Sequence, residues 1–256
     1  MIRIKSEKEI EIMKKSGKML SETMWEVLKS LQPGTSEIEI DSLAEKLIRE
    51  KGGEPGFMLV DGYKNTICVS TNDVVVHGIP TNYKFKAGDI VGIDCGVYYN
   101  GFHTDMSETV RVQTSNIQSQ KFDDVDKFLK VGKIALEAGI SQAKPGNHVG
   151  DISRAIQDIV EKQNGYSVVR SLVGHGVGRE LHEDPEVPGY VYGSIEKSPD
   201  LKPGMTIAIE VIYNMGGPDL TLDDDGWTLR TKDGTLSGLF ERSLAITESG
   251  HFILTP

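Results

Sequence analysis

Asp94 and Asp105 close the two ends of DCGVYYNGFHTD, whose middle is Asn100-Gly101. Asn-Gly between β-prone residues signals a hairpin with a two-residue type I′ turn. Such a turn pairs Asp94 with Ser107, so Asp105 becomes a diagonal neighbour of Asp94 on the same sheet face, about 7–8 Å away at the backbone. Beside the apolar Ile90, Val91 and Ile93, two carboxylates so close are costly without a compensating cation. A metal ion is one reading; two solvated carboxylates on an open sheet face are the other.

A second pair of acids repeats the pattern. The run KPGMTIAIE, ending at Glu210, keeps step with KAGDIVGID, ending at Asp94. Each strand is expected to turn back, the first at Asn100-Gly101 and the second at Asp233-Gly234. Each return leg brings another acid, Asp105 in one and Glu241 in the other. Several carboxylates joined by an imidazole suit divalent cations, and VGHGVGRELHEDPEVPG offers His175 and His182. A glycine-rich phosphate loop is the alternative for GHGVG, but it needs a following helix, which Pro185 and Pro188 oppose. Glycines around His175 instead suit close approach of backbone to a peptide or metal. His77, in NDVVVHGIP, closes an apolar strand, where a lone histidine is either structural or catalytic. His103 and His148 read as structural or exposed, and His251 lies in the tail.

The elements that must position these residues form two similar series. Ser6 with Glu9 makes a capping box that opens a helix, apolar along Ile10, Met13, Gly17, Leu20, Met24, Val27 and Leu31. Pro33-Gly34 breaks it, and Ser36 with Glu39 opens another, which Gly52-Gly53 stops. A helix from about Asp123 to Ala138, a break at Pro145-Gly146 and a second helix from Val149 to near Gly165 repeat this order. The spacing predicts one catalytic domain, 1–256, holding an internal repeat of about 6–112 and about 122–247. Packed about a pseudo-twofold, the copies bring the four acids to one central site. Val187 to Lys202, rich in Gly, Pro and Ser, reads as a loop.

Composition narrows the function. Lys and Arg number 28 against 38 Asp and Glu, a net charge of −10 that opposes a nucleic-acid surface. No apolar run approaches the ~18 residues of a membrane helix, and MIRIKSEKEIEIMKK is too densely charged for a signal peptide. Cys68 and Cys95 make no disulfide framework and fit a reducing cytoplasm.

Together, in this order and across nearly the whole chain, VVVHGIP, GIDCGVYYNGFHTD, VGHGVGRELHEDP, AIE and FERSLAIT resemble the type I methionine aminopeptidases. The resemblance implies the α+β pita-bread fold, a curved antiparallel sheet flanked by helices in two pseudo-symmetric halves. It also implies two divalent cations (Co, Mn, Fe or Zn), with Asp105 and Glu241 bridging them. Asp94 would complete one ion, and His175 with Glu210 the other. Such a pair of ions acidifies a water; by the same resemblance Glu210 shuttles its proton, His182 stabilises the oxyanion and His77 hydrogen-bonds the scissile amide. The substrate's α-amine would sit at the ion held by Asp94, and its methionine side chain among Tyr63, Cys68 and Trp227, where sulfur meets aromatic rings.

The implied activity is removal of the initiator methionine from peptides and nascent chains, preferably before a small second residue. The implied setting is a cytoplasmic monomer with transient ribosome contact, no membrane and no nucleic-acid substrate. A Xaa-Pro aminopeptidase of the same fold is the first rival, but it usually carries a separate N-terminal domain for which this chain has no room. A non-catalytic peptide-binding relative is the second, and is expected to have lost ligands that are all present here. Three departures stand out: Val211 replaces the family's usual Pro, Arg242-Ser243 the usual His-Thr, and Leu181 a common aromatic. Without the zinc-binding N-terminal extension of some relatives, or the large insertion of type II enzymes, the sequence reads as a minimal type I form.

Overall fold

In the computed structural model, which describes residues 1–113 and 124–256, Ser6 and Ser36 open the first two helices as their sequences require. The Ser6 hydroxyl accepts from the Glu9 N–H at 3.4 Å, and the Glu9 carboxylate accepts from the Ser6 N–H at 2.8 Å. Ser36 and Glu39 make the same exchange at 3.3 and 2.7 Å. Each box satisfies amide donors that have no partner inside the helix. Helix α1 spans Glu7–Lys29, α2 Glu37–Glu50, α3 Asp124–Gln142 and α4 Val149–Gln157, with a π-helical continuation over Asp158–Gln163. The expected start of α3 at Asp123 lies outside the described residues; its end falls beyond the expected Ala138.

Strands β1 (Glu54–Pro55), β2 (Ile67–Thr71), β3 (Val74–Val76), β4 (Ile90–Tyr99) and β5 (Phe102–Arg111) precede α3. After α4 come β6 (Ser167–Val168), β7 (Gly174–Gly176), β8 (Glu183–Val187), β9 (Thr206–Asn214), β10 (Leu220–Leu222), β11 (Leu229–Thr231), β12 (Ser237–Thr247) and β13 (Gly250–Ile253). Among the described residues ten strands build one antiparallel sheet, ordered β1-β4-β5-β12-β9-β7-β8 with β2, β6 and β13 at its sides, and β10, β11 and β3 build a small second sheet.

Because side chains alternate across a strand, each long strand serves two environments. Val91, Ile93, Cys95 and Val97 of β4 pack with Leu20, Met24, Ile40 and Ile48 of α1 and α2. Ile207, Ile209, Val211 and Tyr213 of β9, with Phe240, Leu244 and Ile246 of β12, pack with α3 and α4. The intervening positions, Asp94 on β4 and Glu210 on β9, point to the opposite face. So the helices cover one side of the sheet and the acids occupy the other.

The first hairpin forms as expected. Asn100 and Gly101 have φ of 47° and 89°, the paired left-handed conformations of a type I′ turn, and Asp94 lies opposite Ser107. The second is different. β9 does not turn directly into β12: residues 215–236 leave the sheet to build β10 and β11, and Asp233-Gly234 turns the chain from β11 into β12. The two long strands still pair, with Glu210 directly opposite Glu241. A turn dipeptide marks a local reversal without saying which strands it joins.

The C-terminal residues Leu254 and Thr255 are buried against α1, where a Cβ on Gly17 would overlap the Leu254 carbonyl oxygen. Gly17→Ala is therefore expected to destabilise the protein. An overpacking cost of about 1–3 kcal/mol outweighs the ~1 kcal/mol that alanine gains over glycine within a helix. Urea unfolding reads the sign, and a raised midpoint would show the tail moving aside at no cost. No helix among the described residues is long and apolar enough to cross a membrane.

Candidate metal centre and substrate cavity

All ten side chains singled out in the sequence line one cavity of about 210 Å³. At its floor β4, β5, β9 and β12 bring Asp94, Asp105, Glu210 and Glu241 together, and β7 adds His175 by pairing with β9, His175 opposite Ala208. Nε2 of His175 stands 3.4 Å from Glu210 Oε1, 3.9 Å from Asp105 Oδ2 and 4.0 Å from Glu241 Oε1. Its other nitrogen lies 2.9 Å from the Gly176 carbonyl oxygen. A carbonyl only accepts, so Nδ1 carries the proton and Nε2 presents a lone pair to the acids.

Groups that all accept cannot satisfy one another. Asp94 Oδ1 and Glu241 Oε1 are buried with no hydrogen-bond partner among the described residues. Burial pushes the Asp94 carboxyl up to about 7. Burial, then the charges of Asp94 and Glu210, hold Asp105 well above the carboxylate range. Glu210 is raised by burial and Asp94, and Glu241 by burial and by Asp105, Glu210 and Asp94. Burial, then His182, depresses His175 to about 3, so the imidazole stays neutral and brings no positive charge. Asp105, His175 and Glu241 each offer a ligand atom within 4.8 Å of the others. Hard oxygens, one oriented imidazole and unpaired buried lone pairs fit a divalent cation.

Above the floor the walls are apolar. Tyr63 and Trp227 meet edge to face at 5.1 Å between ring centroids, and Phe57 meets Tyr63 at 6.4 Å. The Tyr63 hydroxyl donates to the Ile67 carbonyl at 2.8 Å, which turns the ring's apolar body to the cavity. Cys68 lies opposite Asp94 in the β2–β4 register, joining the apolar wall to the acids. Phe57 and Leu181 pack in the same cluster, and a Cβ on Gly96 would press against the Phe57 ring. His77 follows β3 with φ of 56°, a conformation that costs a non-glycine residue energy and is held by its surroundings. His182 is exposed at the cavity, its ring 4.4 Å from that of His175 and inclined at 75°. Burial lowers the pKa of both, and for His77 the neighbouring His182 adds to the effect.

One expectation is corrected. The glycines around His175 do not make room for a peptide or metal: a Cβ on Gly174 would meet the Ala208 carbonyl, and one on Gly176 the Asp184 carbonyl. They let β7 lie tightly between its neighbouring strands. Beyond Val187 the 187–202 segment is a loop, as expected, with a 3-10 turn over Ile195–Lys197. It is tied to the start of α4, where Val149 N–H donates to the Pro199 carbonyl and Gly150 N–H to Ser198 Oγ. The histidines set aside behave as expected: His103 is buried, His148 caps α4, and His251 meets the Ala143 carbonyl oxygen through Nδ1. Val76 and Ile212 also line the cavity and were not anticipated. Ile212 could have been found from its place two residues after Glu210 on the same strand face.

A carboxylate-rich centre with one imidazole, set beneath a small apolar cavity, defines a metallohydrolase site. The profile of metallopeptidase family M24 matches residues 11–248, and the chain belongs to that family. It is 44% identical to methionine aminopeptidase 1 of Bacillus subtilis strain 168, over 100% of this chain and 99% of that protein. It is 43% identical to the methionine aminopeptidase of Clostridium perfringens strain 13, with the same coverage of each. The crystal structure of methionine aminopeptidase from Thermotoga maritima superposes with a TM-score of 0.93, at 40% identity and covering 100% and 99% of the two chains. The architecture is that of the pita-bread peptidases, as the sequence led one to expect.

Proposed function

We propose that this protein is a methionyl aminopeptidase, a metallo-exopeptidase that removes the initiator methionine from peptides and nascent chains. One observation carries the reading: a sulfur- and aromatic-lined cavity opens directly onto the buried four-acid cluster, with Cys68 facing across the strand pair to Asp94. Asp94, Asp105, His175, Glu210 and Glu241 would hold two divalent cations. The donor set accepts Co, Mn, Fe or Zn. Bound there, such ions would supply Lewis acidity, lowering the pKa of a water and polarising the scissile carbonyl.

The remaining work falls to the chain's own groups. Glu210, whose Oε1 stands 3.4 Å from His175 Nε2 at the cavity floor, would take a proton from water and pass it to the leaving nitrogen. His182 donates a hydrogen bond to the carbonyl oxygen as charge develops on it. His77 hydrogen-bonds the scissile amide and crowds the second residue. Tyr63, Cys68 and Trp227 grip the methionine side chain, which leaves the α-amine beside Asp94 and makes cleavage exopeptidic. The recurrence of two helices and a pair of long antiparallel strands, acids at the same places, supports an internal repeat of about 6–112 and about 122–247 within one domain. We place the protein in the cytoplasm as a monomer that meets nascent chains at the ribosome.

Release of the first residue from Met-Ala-Ser, Met-Leu-Ser and Ala-Pro-Ser, compared at matched metal, tests the proposal. Met-Ala-Ser is expected to be cleaved and Met-Leu-Ser poorly, by a margin larger than the ~1–3 kcal/mol of one methylene, because a clash repels rather than merely failing to attract. Preferred release of alanine from Ala-Pro-Ser would assign the protein to the Xaa-Pro peptidases. Equal cleavage of the two methionyl peptides would refute the small-second-residue rule.

A further inference from the structure

Arg242 stands where strand alternation calls for an apolar side chain. Phe240 and Leu244, two residues to either side on the helix face of β12, are wholly buried. Its guanidinium instead lies over the Trp25 ring of α1, 5.8 Å from the centroid. Nη2 meets Glu108 Oε2 at 2.7 Å. Nη1 donates to two backbone carbonyls, those of Ser107 on β5 at 3.0 Å and Glu241 on β12 at 2.7 Å. The Glu108 side chain is 2% exposed, and its second oxygen meets Lys133 Nζ of α3 at 2.7 Å. Glu108 was not anticipated from the sequence.

The contact between β5 and β12 is the seam between the two halves of the sheet, and it is barely paired. The register holds only Glu241 with Ser107 and Arg242 with Met106. On either side a hydroxyl replaces the ladder. Ser243 Oγ accepts from the Asp105 N–H at 2.9 Å and donates to the Asp105 carbonyl at 2.8 Å. Thr109 Oγ1 accepts from the Leu239 N–H at 2.9 Å and donates to the Leu239 carbonyl at 2.7 Å. Inserted hydroxyls spread the strands where direct amide-to-carbonyl bonds would draw them together. Asp105 and Glu241 hang from this seam on opposite strands, so its width sets how far apart their carboxylates stand.

We propose that Arg242, braced by the buried Glu108, is a positioning residue. By binding the carbonyls of Ser107 and Glu241 at once it fixes the seam width, and with it the spacing at which Asp105 and Glu241 share a divalent cation. The proposal rests on the metallopeptidase reading above. It accounts for the departure from His-Thr: Ser243 keeps the hydroxyl that spans to Asp105, while Arg242 and Glu108 act as a pair.

Titration of the metal-free protein with Co²⁺, followed by calorimetry and by the visible absorption of bound cobalt, tests this. Arg242→Met and Arg242→Lys are both expected to weaken cobalt binding about 10–100-fold and to move the absorption band, because neither side chain spans both carbonyls and Glu108. Lys133→Met removes the other ion pair of Glu108 without touching the seam and is expected to bind cobalt like the wild type. Far-UV circular dichroism checks folding; if Arg242→Met fails to fold, Arg242→Lys carries the test. Wild-type affinity and spectrum in Arg242→Lys would show that charge alone suffices and overturn the proposal. So would a loss in Lys133→Met equal to that in Arg242→Lys. If the wild type binds no cobalt and gains no hydrolysis of Met-Ala-Ser from it, the metallopeptidase reading itself fails.

Discussion

Treatment with a chelator is expected to abolish release of methionine from Met-Ala-Ser, and added Mn²⁺ or Co²⁺ to restore it. Four acids and an imidazole converge at the cavity floor, and no Lys or Arg among the described residues lines it. Arg242, the nearest in sequence, turns to the helix side of the sheet. Asp105→Ala and Glu241→Ala are expected to lower bound metal and rate together, by more than the about 10–100-fold that an outer partner is worth. Full activity in a sample shown to be metal-free would sink the mechanism.

A stability signature accompanies this loss. The floor carboxyls have pKa values raised in the folded state, Asp94 to about 7. Between the unfolded carboxylate range, about 4, and that value, these groups bind more protons in the folded protein than in the unfolded chain. Below the unfolded imidazole range, about 6.5, the lowered pKa values of His77, His103, His175 and His182 act in the opposite sense. Stability of the metal-free protein therefore falls as pH rises from about 7 to about 8, where only the carboxyls still titrate. Saturating Mn²⁺ should flatten the slope, and Asp105→Asn should raise metal-free stability at neutral pH. Urea midpoints across that range decide it, and a metal-free protein that gains stability with rising pH would contradict the charge balance described here.

His182→Ala is expected to lower kcat by about 10²–10³-fold while leaving metal content near wild type. The ring stands at the exposed part of the cavity, edge to face with His175, and burial keeps it neutral enough to donate a hydrogen bond without carrying charge into the site. A donor aimed at charge that develops only during reaction affects kcat more than KM. Parallel measurement of kcat, KM and metal content separates the roles. Should the variant bind one ion fewer, His182 is a ligand and the assignment fails.

Ser6 with Glu9, Ser36 with Glu39 and Asn100-Gly101 were legible because each contact joins residues three apart or closer, and the backbone needs nothing distant to form it. From that turn and the period of two followed the register of β4 against β5, with Asp94 opposite Ser107. Asp94, Asp105, Glu210 and Glu241 were reached from the hairpin and the matched strands, whereas Tyr63, Cys68 and Trp227 were carried by motif resemblance alone, and the cavity gathers all of them. Asp233-Gly234 was found as a turn but given the wrong partner, since a turn's dihedral preference is silent about the strand that precedes it. The glycines flanking His175 were recognised as sites of close approach, but the object approached, the Ala208 and Asp184 carbonyls, comes from other strands.

The sequence by itself determined which short segments become helix, strand or turn, and which acids fall on one sheet face, because these depend on side-chain type and neighbours within a few positions. Only the tertiary structure decided how the two halves meet. Gly17 beneath Leu254, Ser243 spanning to Asp105 and Arg242 reaching Ser107 and Glu108 each join residues more than a hundred positions apart. No local preference encodes such pairs. They arise when the two halves of one sheet bury their helix faces and meet along the β5–β12 seam.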